Sequence, residues 1–97
     1  MKRSALQLTG TDTVATALED IAEGDLVTVS NSDGRETAEI PARTAIPRGH
    51  KIALKNLCKN TYITKYGYTI GIATKDILCG DHVHTDNLAS LRGRGDL

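Results

Sequence analysis

The chain has 97 residues, equal numbers of basic and acidic side chains, a formal net charge of zero and three tyrosines as its whole aromatic complement. That length fits one domain with a modest core, and without Phe or Trp the core must come from Val, Ile, Leu and Ala, or gain stability by docking on a partner. There is no basic stripe for nucleic acid and no apolar run long enough to span a membrane; Met1-Lys2-Arg3-Ser4 leads into a polar stretch rather than a signal peptide, so a cytoplasmic location is expected.

The first predicted element runs from Val14 to Ile21. Val14, Ala17, Leu18 and Ile21 would share one face of a helix. The same segment opens a recurring pattern that favours strand and turn instead. Ala17, Ile21, Gly24 and Val27 are spaced like Ala42, Ile46, Gly49 and Ile52, and again like Ala73, Ile77, Gly80 and Val83. Each copy reads as strand, tight turn, strand, with the Gly at a position of positive φ. The copies are too few and too unevenly separated for a solenoid.

Leu26–Val29 is the next strand, and Asp33-Gly34 turns it into another at Thr37–Ile40. Pro47 fixes the turn of the second copy, before a strand at Ile52–Leu54. Thr61–Thr64 and Thr69–Ala73 are joined through Lys65-Tyr66-Gly67, and a last strand centres on Val83. The expectation is a mostly β domain over residues 1–90 with little helix, followed by a flexible tail at 91–97. The Arg94-Gly95-Asp96 triplet in that tail reads as chance. Cys58 and Cys79 form no Cys-x-x-Cys motif and are expected as buried free thiols.

Few residues carry a chemical signal. His82 and His84 flank Val83; on a strand they point to one face, where two imidazoles can hold a metal. Asp81, Asp86 and Asn87 lie close by. The alternative is a hydrogen-bonded histidine pair at the solvent edge. Lys51 follows Gly49-His50 at a turn, and Lys65-Tyr66 sits on another. Either lysine could bind a carboxylate as a point charge, or simply be solvated. No Gly-rich phosphate loop, nucleophile elbow or Cys-rich metal motif is present.

Three runs in order carry a resemblance: Ile46–Leu54 (IPRGHKIAL), Thr64–Ala73 (TKYGYTIGIA) and Ile77–Leu88 (ILCGDHVHTDNL). Together they resemble the altronate and galactarate dehydratase family, and Val14–Gly24 is similar to the first strand and turn of the same module. The resemblance implies a small SAF-type domain with a β-clip fold, either fused ahead of a larger catalytic domain or made as a separate small subunit. This chain looks like the separate form. The small subunit of sulfolactate sulfo-lyase resembles the module too, and both reactions eliminate a group β to a carboxylate.

The implied role is the small subunit of a hydro-lyase acting on a sugar acid. A larger catalytic chain is the expected partner, and self-association is a further possibility for a domain with open β edges. Loss of a proton α to the carboxylate is assisted by a divalent metal, iron or manganese. On this chain the resemblance points to His84 as a catalytic group. It points to His50, Lys51, Lys65, Tyr66 and Asn87 for substrate, and to His82 and Asp86 for metal. The family often has His where this chain has Asp86. A stand-alone module that binds a sugar acid or related anion is the competing expectation, and a purely structural adaptor a third.

Overall fold

A computed structural model describes residues 2–90, and all regular structure among them is strand. The strands are β1 (Lys2–Leu6), β2 (Val14–Ala17), β3 (Leu26–Ser30), β4 (Glu36–Pro41), β5 (Lys51–Ala53), β6 (Tyr62–Lys65), β7 (Tyr68–Ala73), β8 (His82–Val83) and β9 (Leu88–Ser90). They form a six-stranded sheet in the order β4-β3-β1-β2-β5-β8 and a three-stranded sheet in the order β6-β7-β9. This is the mostly β architecture expected of a small β-clip domain. The tail at 91–97, with its Arg-Gly-Asp triplet, lies outside the described residues.

The recurring pattern builds the core. Its Ala, Ile and Val or Ile positions are all buried in the three copies read from the sequence. A fourth copy lies between the second and last: Ala53, Leu57, Asn60 and Ile63. Asn60 stands where the others have Gly and adopts φ of 75°, beside 91°, 85° and 94° at Gly24, Gly49 and Gly80. Asn is among the few side chains that tolerate this region.

The copies clasp in pairs. Ile21 and Ile46 exchange backbone hydrogen bonds of 2.9 and 2.8 Å, while Gly24 donates to Ala42 and Gly49 donates to Ala17. Leu57 and Ile77 repeat the exchange at 2.7 and 2.8 Å, with Asn60 donating to Ala73 and Gly80 to Ala53. Each pair encloses its own apolar cluster, around Ile46 and Ile52 in one and around Ile63 and Val83 in the other. Ile52 and Ala53, adjacent on β5, join the two halves.

The turns are satisfied locally. The Asp25 carboxylate accepts from the Ala22 N–H at 2.9 Å, and Asp81 from the Leu78 N–H at 2.8 Å. Pro47 occupies the equivalent of Ala22 and Leu78 in the second copy, and His50 the equivalent of the two aspartates. At Gly80 a Cβ would run into the Pro41 carbonyl oxygen, whereas at Gly24 and Gly49 it would meet nothing within 4 Å.

Two expectations are corrected. β1 was read as a polar lead-in, yet it lies in the middle of the larger sheet, parallel to β3 and antiparallel to β2. Cys58 is exposed and Cys79 only partly buried; Cys58 falls on a clasped turn, whose backbone faces inward and leaves the side chain to solvent. The Cys79 thiol donates to the Leu54 carbonyl at 3.4 Å.

Candidate functional site

β5 and β8 bring the chemically distinctive residues together. Their antiparallel register pairs Lys51 with Val83 and Ile52 with His82. One step further along it, His50 faces His84. Strand alternation turns Lys51 and Val83 to one face and the three histidines to the other.

The imidazoles form a stack. Ring centroids lie 4.3 Å apart for His50 and His84, 5.0 Å for His50 and His82, and 5.3 Å for His82 and His84. His50 Nδ1 and His82 Nε2 are 2.8 Å apart, so one donates its proton to the other. One ring nitrogen from each histidine lies within 4.8 Å of the others. Burial holds the His82 pKa below the ordinary imidazole value, and repulsion from His50 and His84 adds to this; the Asp86 charge opposes it. His82 therefore favours its neutral imidazole, the form that binds metal.

The backbone under the histidines is pinned from two directions. Asn87 is buried; its Oδ1 accepts from the His84 N–H at 2.9 Å and its Nδ2 donates to the His82 carbonyl at 2.8 Å. Thr44 Oγ1 accepts from the His82 N–H at 3.1 Å. Asn87 was expected to contact substrate, but here its side chain bridges the segment that carries both histidines.

Beside this strand pair lies a cavity of about 310 Å³, within the size range of small-molecule sites. Ile70, Val83 and Leu88 supply its apolar wall, and Lys51, Lys65, His84, Thr85 and Ser90 its polar one. His84 thus belongs to both the imidazole cluster and the cavity. The Lys51 pKa lies below the ordinary amine value, first through burial and then through the charge of Lys65.

Lys65 reaches the cavity on the β6–β7 hairpin, which turns at Tyr66 and Gly67 with φ of 55° and 77°. Asp12 ties this turn to the β1–β2 loop. Its buried carboxylate accepts from the Gly67 N–H at 2.9 Å, the Thr9 hydroxyl at 2.7 Å, and the Leu8 and Thr9 N–H groups at 3.2 and 3.0 Å. Burial pushes its pKa up, but the hydrogen bonds from Gly67, Thr9 and the Tyr66 backbone outweigh burial and hold it below the ordinary carboxylate range.

The residues singled out from sequence fall into three groups. His50, His82 and His84 converge, and Lys51, Lys65 and His84 line one cavity. Tyr66 lies outside that cavity, exposed at the hairpin tip, lining a neighbouring groove with Lys65. Asp86 is exposed and outside the imidazole cluster, acting on His82 only as a nearby charge. Sequence reasoning placed His50 with substrate and missed it as the third imidazole; the cross-strand register, invisible in sequence, brings it there. Asp12 was also missed, although the turn-forming run Thr9-Gly10-Thr11-Asp12 is a signal for an aspartate that caps a loop.

Comparison with known proteins identifies the family. Residues 3–91 match the altronate/galactarate dehydratase SAF domain family. The chain is 43% identical over 76 residues to an altronate dehydratase of Escherichia coli K12, and 36% identical over 85 residues to one of Bacillus subtilis 168. These alignments take in 78% and 88% of this chain but 14% and 16% of the dehydratases. The chain thus spans about one seventh of the length of those relatives. It is also 32% identical over 75 residues to a (2R)-sulfolactate sulfo-lyase subunit alpha of Chromohalobacter salexigens, covering 77% of this chain and 80% of that subunit. With the family match running through nearly every described residue, and with the all-strand architecture and the ordered motifs in agreement, the chain belongs to the altronate/galactarate dehydratase SAF domain family.

Proposed function

We propose that this chain is the small subunit of a hydro-lyase that dehydrates a sugar acid of the altronate or galactarate type, acting with a larger catalytic chain. The observation that carries this reading is the meeting, at His84, of a three-imidazole cluster with a cavity flanked by two lysines. Lys51 and Lys65 hold the substrate carboxylate, and Thr85 and Ser90 offer hydroxyls to its hydroxyl groups.

His50, His82 and His84 are the residues that would hold a divalent metal. A donor set of imidazoles alone suits iron better than manganese, which prefers oxygen. A metal there would stabilise negative charge as it develops on a substrate oxygen. In this reading His84 sets the position of the ion relative to the substrate. An imidazole that spends its lone pair on a metal has none left to take a proton, so the base that removes the α-proton comes from the larger chain. Asn87 and Thr44 keep the histidine backbone in place.

A second reading is the small subunit of a sulfolactate sulfo-lyase. Its support is similarity: this chain is 32% and 43% identical to two sulfo-lyase alpha subunits, over 80% and 94% of their length. Elimination β to a carboxylate is common to both reactions.

The test is to co-express this chain with the large lyase chain encoded beside it, and to assay altronate, galactarate and sulfolactate with each chain alone and with both. Turnover of a sugar acid by the mixture alone supports the first reading. Turnover of sulfolactate alone supports the second. Failure of the chains to associate overturns both.

A further inference from the structure

All three tyrosines of the chain sit on the β6–β7 hairpin, and none enters the core. Tyr62, Tyr66 and Tyr68 are 60%, 61% and 70% exposed. Scattered exposed apolar residues are ordinary. Here, however, a chain with an aliphatic core places its whole aromatic complement on one element. Tyr66 and Tyr68 meet edge to face, with ring centroids 6.3 Å apart. Together with Leu8, Lys65, Thr69 and Ile70 they line a groove of about 480 Å³. Lys65 and Ile70 also line the smaller cavity beside His84, so groove and cavity adjoin.

The hairpin presents these rings in a fixed pose. Tyr66 has φ of 55°, a conformation unfavourable for a bulky side chain. The turn keeps it because the buried Asp12 carboxylate accepts from the Gly67 N–H at 2.9 Å. A ring already held in place loses little freedom when it is covered. Tyrosine is among the side chains that concentrate binding energy at protein interfaces, and its hydroxyl takes a hydrogen-bond partner once buried. The matched module makes up 14% and 16% of the dehydratases it resembles, so most of each of those chains lies outside it. A second copy seated groove to groove would bring its own Lys65 towards this one, and like charges across an interface oppose docking. On the reading that this chain works with a larger lyase chain, we propose that the Tyr66–Tyr68 groove seats a segment of that larger chain. The segment lays aliphatic side chains against the two rings and offers acceptor oxygens to their hydroxyls. Seated there, it stands at the edge of the cavity, where the base that this chain lacks has to arrive.

The experiment measures the affinity of the full chain for the larger lyase chain encoded beside it, with hydrogen exchange on the free chain and on the complex. Tyr66→Ser and Tyr68→Ser should each weaken association at least about tenfold, and the double variant more, as expected of interface anchors. Tyr62→Ser, on the same hairpin but outside the groove, should stay within about threefold of the parent. In the unaltered complex the amides of Leu8 and of residues 66–70 should exchange more slowly than in the free chain. That measurement needs no variant, so misfolding of a variant does not protect the inference.

A complex that forms with the hairpin amides unprotected and with parental affinity in both tyrosine variants overturns the inference and leaves the lyase reading intact. So does a rise in KM with no loss of association, which would put the rings against substrate instead. A dimer of this chain alone, protected at the hairpin and lost in Tyr68→Ser, gives the groove to a second copy and overturns it too. No association with the larger chain at all overturns the lyase reading, and the inference falls with it.

Discussion

Replacing Asp12 with asparagine tests how Lys65 is held at the cavity. The carboxylate accepts hydrogen bonds from the Leu8, Thr9 and Gly67 N–H groups and the Thr9 hydroxyl. An amide keeps one oxygen and turns the other acceptor into a donor. The Thr9 hydroxyl can rotate to accept from the new NH₂ group, but the Gly67 N–H cannot. Hydrogen bonds to a charged group contribute about 1.5–3 kcal/mol each, and an unsatisfied buried donor costs about 1–3 kcal/mol. With part of the network retained, the loss should be about 2–4 kcal/mol, a large share of the about 5–15 kcal/mol that holds a small domain together. For a domain of this size that lowers Tm by roughly 10–25 °C.

The pH dependence has a definite sign. The folded-state pKa of Asp12 lies below its unfolded value, so its contribution is fully present above the unfolded carboxylate pKa. It is lost as pH falls through the depressed folded value. Urea unfolding at neutral and acid pH, with hydrogen exchange at the Gly67 amide, measures both effects. A variant that loses less than about 0.5 kcal/mol, well under one charged hydrogen bond, with the Gly67 amide as protected as before, would refute the reasoning.

Other outcomes follow from the same geometry. Asn87→Ala removes two hydrogen bonds that bridge the histidine segment and should cost about 1–3 kcal/mol; calorimetry should also show weaker binding of iron(II) or zinc. His50→Ala should lower that metal affinity more than Asp86→Ala does, since Asp86 stands outside the cluster; equal losses would remove His50 from the metal seat. Gly80→Ala, with positive φ and the Pro41 carbonyl in the way of a Cβ, should unfold at lower denaturant than Gly24→Ala, which meets only the backbone strain of about 1–2 kcal/mol. Asn60→Gly should stay within about 1 kcal/mol of the parent, because relief of left-handed strain and loss of unfolded-state restriction nearly offset.

The sequence carried the strand-turn-strand copies because their buried residues recur at fixed spacing, and it carried the shared face of His82 and His84 because strand alternation is local. What it concealed depends on contacts between distant segments. β1 looks polar because Ala5 is its one fully buried apolar residue; its place is set by strands on both sides. The fourth copy was masked by Asn60, which supplies the needed backbone conformation without being Gly. His50 joins the other histidines through the β5–β8 register. Asn87 next to a histidine pair suggests a ligand contact, yet its amide has the right length to close on the backbone beneath that pair. Tyr66 adopts φ of 55° at a turn whose geometry directs it away from the cavity.

The second clasped turn also accounts for why an imidazole can stand at position 50. In the first and last copies that place belongs to an aspartate, committed to the N–H of the residue three before it. In the second copy the residue three before is Pro47, which has no N–H to satisfy. The proline releases position 50 from that duty at no cost to the turn, and the scaffold gains a vacancy it can fill with any side chain of suitable size. His50 fills it, opposite His84. A reactive group has entered a repeating framework at a turn where the framework no longer needed its own aspartate.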